Sequence, residues 1–106
     1  MTPEGKVLKE TFAELAKIPG VIPLRLNAGL IVWKGRVFHG APKGTPDILV
    51  MLPHERCIWL EAKSEKGQLT EEQVKWHDRA RRIDHTVVVI RSAEEAVQAV
   101  MEALDA

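Results

Sequence analysis

Three side chains in the stretch GTPDILVMLPHERCIWLEAK, Gly44 to Lys63, carry groups that could act together: the carboxylates of Asp47 and Glu61 and the amine of Lys63. Two carboxylates within about 4–6 Å repel, and each has its pKa raised unless a cation sits between them. A hard divalent ion removes that repulsion, and magnesium takes one or two carboxylates together with waters and phosphate oxygens. The backbone carbonyl of Ala62, between Glu61 and Lys63, can add an oxygen ligand without any side chain. Lys63 would then neutralise charge on a phosphoryl oxygen, or position and deprotonate the attacking water. Such a set suits metal-assisted hydrolysis of phosphodiesters.

Whether these groups meet depends on strand register. Side chains alternate along a strand, so Glu61 and Lys63 share one face while Ile58, Leu60 and Ala62 share the other. Asp47 joins the first face only if it lies opposite Glu61 or Lys63. A four-residue loop over Pro53 to Arg56 would oppose it to Ala62, on the wrong face. The chemistry therefore requires a three- or five-residue loop, or a bulge.

The surrounding elements follow from periodicity and capping. TPEGKVLKETFAELAKIPG opens as a helix, with Thr2 as cap, Pro3 at the first helical position and Gly20 after the end. Val7, Leu8, Phe12 and Leu15 form its apolar stripe; Glu4 shares that side, whereas Glu10 and Glu14 face water. VIPLRLNAG and LIVWKGRVFHG read as two strands, with turn or bulge chemistry at Asn27-Ala28-Gly29 and Gly35. APKGTP is a flexible loop, and DILVML and CIWLEAK are the strands of the central hairpin.

Thr70 and Gln73 form a capping box at a second helix, on which Gln73, Trp76, His77 and Ala80 share a face. TVVVI is a continuous apolar strand of the kind buried on both sides. Ser92 and Glu95 form a second capping box at a last helix striped by Val97, Val100, Met101 and Leu104. The helix between CIWLEAK and TVVVI has the length of a crossover, which makes those strands parallel. The fold class is α/β: one domain over residues 1–106, a mixed sheet flanked by helices in the order αββββαβα.

Composition narrows the alternatives. At 45% hydrophobic and 28% charged, the chain can form a core and is not a disordered one. Fifteen basic and fifteen acidic residues exclude a strongly basic nucleic-acid binder as a whole-chain property, though not a local basic face. Cys57, the single cysteine, rules out an intrachain disulfide and a multi-cysteine zinc site, and its apolar run suggests a buried, inert thiol. No apolar run approaches the roughly 18 residues of a membrane helix, and MTPEGKVLKE lacks a signal-peptide core, so the expected location is cytoplasmic.

GTPD followed by EAK resembles the signature of the PD-(D/E)XK nuclease superfamily. With the leading PE, the RLNAG strand, GTPDILV and GQLTEEQVKWHDRAR, the chain is similar along nearly its full length to the VRR-NUC branch, in its stand-alone phage and bacterial form. The resemblance implies a restriction-endonuclease-like fold and a structure-specific DNA nuclease dependent on Mg2+ or Mn2+. It implies Asp47 and Glu61 as metal-binding acids, Lys63 as catalytic lysine, Glu4 as the first-helix glutamate and Gln73 as the glutamine that orients substrate or site. Glu4 would be a further ligand or a carboxylate holding one of the ion's waters. Small members resemble Holliday-junction resolvases, implying branched DNA as substrate and a homodimer. The loop KGRVFHGAPKG varies in length among relatives and leaves substrate preference open.

Rival readings are a general nickase or nuclease of the same fold, and a nucleic-acid-binding module without activity. The set Glu4, Asp47, Glu61 and Lys63 argues against the second. The capping box also accounts for Gln73 without any substrate, and both roles can coexist. Lys75, Arg79 and Arg82 recur at helical spacing, with Arg81 adjacent, and Lys34, Arg36 and Lys43 precede Asp47. These are the candidate phosphate contacts, set against a plain solvated helix face for the first cluster. Trp59 and Trp76 read as packing residues, with Trp59 on the face of Glu61. His77 and His39 lack metal-ligand spacing, and His54 and His85 read as loop histidines. Val32, Trp33, Val37 and Phe38 are the candidate dimer surface.

Overall fold

In the computed structural model, which describes residues 1–106, helix α1 runs over Pro3–Leu15. The Thr2 side chain accepts the Gly5 N–H at 3.0 Å, and Pro3 occupies the first helical position, where its missing N–H has no intrahelical partner to lose. Leu8, Thr11 and Leu15 are buried, Val7 and Phe12 pack against the core, and Glu10 and Glu14 are exposed.

Strands β1 (Ile22–Arg25), β4 (Ile48–Met51), β5 (Cys57–Ala62) and β6 (Thr86–Ile90) form one sheet in the order β1-β4-β5-β6. The first two pairings are antiparallel, and β5 and β6 are parallel, joined through helix α2 (Glu71–Arg82). Helix α3 (Ala93–Asp105) closes the chain. Its Ser92 cap accepts from Glu95 N–H, but Glu95 reaches the Arg91 N–H rather than that of Ser92, so the box is one-sided.

LIVWKGRVFHG is not one strand. It folds as a separate hairpin, β2 (Leu30–Trp33) against β3 (Arg36–His39), so five strands precede α2 rather than four. Lys34 at φ 50° and Gly35 at φ 73° give the consecutive left-handed pair that two-residue hairpin turns favour. Strand β6 also departs from expectation. It lies at the sheet edge, with Val87 and Ile90 buried but Val88 and Val89 only half-buried.

The alternation along β4 and β5 divides the sheet into two unlike faces. Ile48, Val50, Ile58, Leu60 and Ala62 lie with Leu8, Leu15, Ile90, Ala96 and Val100 in the core formed with α1 and α3. The opposite face carries Trp59 and Glu61 and is covered by α2. Met101, expected in the α3 stripe, is about half exposed, because the face the helix buries runs through Ala93, Ala96 and Val100. Cys57, at the start of β5, is half-buried rather than buried.

Candidate active site

The turn between β4 and β5 settles the register. Leu52 N–H donates to the Arg56 carbonyl at 2.9 Å, leaving Pro53, His54 and Glu55 as a three-residue loop. His54 and Glu55 both adopt left-handed backbone, at φ 66° and 62°. Ile48 consequently pairs with Leu60, and one step further along the same register sets Asp47 opposite Glu61. The geometric condition for shared chemistry is met.

Asp47 is held from two sides. Its carbonyl accepts the Leu26 N–H at 2.7 Å, and its Oδ2 accepts the Ala62 N–H at 2.8 Å across the hairpin. Ala62 itself is fully buried in the core. Ahead of Asp47, the glycine-proline segment is packed, not flexible. Gly44, Thr45 and Pro46 are buried, and Thr45 Oγ1 donates to the Pro42 carbonyl at 2.6 Å. Gly44 makes this possible, because at φ 94° a Cβ there would lie 2.5 Å from the Glu72 carbonyl oxygen.

Glu61 is 1% exposed. Its Oε1 lies 3.0 Å from His77 Nε2, and Gln73 Nε2 donates to its Oε2 at 3.4 Å. Burial pushes its carboxyl up to about 9, helped by the hydrogen bond and charge of Asp47 and by Glu4, against the opposing charge of Lys63. Burial, then the Arg81 and Lys63 cations, holds the His77 imidazole below its usual range, with Asp78 opposing. Without a cation the two partners are therefore neutral at pH 7, and their contact is a hydrogen bond rather than an ion pair. His77 Nδ1 is buried with no partner.

Gln73 combines two functions. Its Oε1 accepts the Thr70 N–H at 2.9 Å, closing the capping box, while its Nε2 faces Glu61. Lys63 is 8% exposed and its Nζ lies 3.6 Å from Oε1 of Glu4, which sits in the first turn of α1 and stays about half-exposed. Arg91 anchors the segment after Lys63, donating to the carbonyls of Ser64 at 2.6 Å and Gly67 at 2.9 Å.

Asp47 and Glu61 form an all-oxygen pair with a raised carboxyl pKa, the condition that a hard cation relieves. No three ligating side chains converge here, and magnesium, which keeps several waters, does not need three. The residues present fit Mg2+ or Mn2+, with Glu4 turned toward Lys63.

The basic candidates divide into groups. Lys34 lies in the β2–β3 turn, its Nζ 4.5 Å over the Trp33 ring, and Arg36 opens β3 after it. Lys75 pairs with Glu71 at 3.2 Å on an exposed part of α2. Lys43, which pairs with Glu72 at 3.5 Å, joins Arg79 and Arg82 around one cleft. Arg81 turns away and donates to the Val87 carbonyl. His77 is the site residue that metal-ligand spacing overlooks. Its signal is the helical step from Gln73, which aims both side chains at one carboxyl.

Among solved structures, one described as a VRR_NUC domain is similar to this chain, with a TM-score of 0.67 and 24% identity, over 95% of this chain and 97% of that one. No family model and no curated protein matches. The fold is that of a VRR_NUC domain.

Proposed function

We propose that the protein is a metal-dependent, structure-specific DNA endonuclease that hydrolyses phosphodiester bonds in branched DNA. The observation that carries this reading is Asp47 set opposite a buried Glu61 with a raised pKa, on the fold of a VRR_NUC domain. Asp47 and Glu61 would hold Mg2+ or Mn2+, with the Ala62 carbonyl as a backbone ligand. When bound, the ion would polarise the phosphoryl oxygen and lower the pKa of water. The Ala62 N–H and His77 fix the two carboxylates in place. Lys63 supplies positive charge to the phosphoryl group or orients the attacking water, and Glu4 restrains its amine.

Branched DNA and a homodimer belong to the same reading. Leu30, Val32 and Val37 on one face of the β2–β3 hairpin, and Trp33 and Phe38 on the other, are exposed and give apolar area that a second copy could cover. A two-fold dimer matches a junction that is cut on two strands. No helix is long and apolar enough to cross a membrane.

The test is incubation of labelled junction, flap, nicked and duplex DNA with magnesium or manganese. The parent should cut the branched substrates, while Asp47→Asn and Lys63→Ala should remain folded and cut none. A Lys63→Ala protein that cuts at the parent's rate would remove the site assignment. Retained binding without cleavage by the parent would favour a binding module.

A further inference from the structure

The face of the sheet that carries Glu61 also carries a cleft, lined in part by Trp59 and Trp76. Trp59, two residues before Glu61 on β5, and Trp76, next to His77 on α2, meet edge to face with centroids 5.0 Å apart. They form the floor of this cleft, of about 580 Å3, between α2 and the loop that leads into Asp47. Both tryptophans are only half-buried, and Ile83 at its edge is 70% exposed, so packing leaves this apolar surface unfinished. Lys43, paired with Glu72 at 3.5 Å, stands beside it with Arg79 and Arg82, and none of the lining residues is acidic. An aromatic floor within a cationic rim has the chemistry of a base bound by its face and a backbone bound by its phosphates.

We propose that this cleft receives an unpaired base of the DNA strand being cut, stacked on Trp76, which Trp59 braces edge to face, with Arg79, Arg82 and Lys43 on the flanking phosphates. This rests on the nuclease reading and makes it more specific. A base inside a duplex offers only its edges to the grooves, so a face-binding slot selects strands that are already unstacked. Two residues along β5 span about 6.6 Å, equivalent to roughly two stacked nucleotides at about 3.4 Å each. The unpaired base therefore lies within a nucleotide or two of the carboxylates. Flaps, forks and strand-exchange points carry such a base beside intact duplex, and blunt duplex does not.

The test uses the Trp33→Phe protein, so that only Trp59 and Trp76 emit, in EDTA and at low salt. Emission is followed on adding a short oligothymidylate, or a blunt hairpin duplex of equal length, with binding read independently by anisotropy. The single strand should quench the emission and the duplex should leave it largely unchanged. Trp76→Ala should weaken single-strand binding about tenfold. Arg79→Ala and Arg82→Ala, on the exposed side of α2, should each lower the salt dependence by about one ion and keep the proposal testable if Trp76→Ala fails to fold. Unquenched emission from bound single strand, equal quenching by both DNAs, or failure of the single strand to bind would overturn it. Cleavage with magnesium on the same preparation is scored separately, so loss of the cleft leaves the nuclease reading standing.

Discussion

His77 Nε2 lies 3.0 Å from Glu61 Oε1, and each residue is 1% exposed. A carboxyl placed so deep on a strand cannot ionise cheaply, and a neutral imidazole offers it a partner in either protonation state. Glu61 is thus held in its protonated form at pH 7, and Gln73 holds its other oxygen.

Stability in the absence of metal should follow from that carboxyl. The folded-state pKa of Glu61 is about 9 against 4.5 unperturbed. Between these values the folded chain binds the extra proton, so stability falls as pH rises. By pH 7 the unfolded carboxyl has already ionised, and the folded one follows near pH 9. Compared with Glu61→Gln, the parent should lose up to about 1.4 kcal/mol per pH unit between pH 7 and 9. Urea unfolding of both proteins in EDTA measures the difference, and parallel pH profiles would contradict the placement of Glu61.

Metal binding should show the same linkage from the other side. A divalent ion at Asp47 and Glu61 must displace the proton, so its affinity increases up to about pH 9. Magnesium should raise the melting temperature more at pH 8.5 than at pH 6.5, because stabilisation grows with ligand concentration over Kd. Asp47→Asn should remove most of the shift. An equal magnesium shift in Asp47→Asn would place the ion elsewhere.

Much of this arrangement is legible in the chain. The crossover length makes β5 and β6 parallel, and the alternation in CIWLEAK separates Glu61 from the core residues beside it. The hairpin register is harder to read, because its left-handed turn residues are His54 and Glu55 rather than glycine or asparagine. The β2–β3 hairpin is concealed because both of its strands are apolar and Lys34-Gly35 interrupts them only briefly. His77 is invisible to local spacing because its partner is on another element, and only the docking of α2 onto β5 brings them together.

The β4–β5 turn should tolerate improvement. A non-glycine residue in left-handed backbone costs about 1–2 kcal/mol, partly offset by the extra unfolded-state freedom of glycine. Glu55→Gly, at φ 62°, should therefore raise stability by about 0.5–1 kcal/mol without moving the strands. Differential scanning calorimetry should show a melting temperature a few degrees higher. A lower one would mean that the turn depends on the Glu55 side chain.

Gly44 presents the opposite case. Its φ of 94° disfavours any side chain, and an added Cβ would meet the Glu72 carbonyl oxygen at 2.5 Å. That oxygen belongs to backbone in the first turn of α2, so relief requires the loop or the helix to shift. Either movement disturbs the site, since the loop leads into Asp47 and α2 carries Gln73 and His77. Gly44→Ala should cost about 2–3 kcal/mol, lowering the melting temperature by about 10 °C or more. Cleavage should fall even at temperatures where the protein stays folded, because small displacements of positioned groups cost rate steeply. Full activity with unchanged stability would mean that this loop does not brace the site against α2.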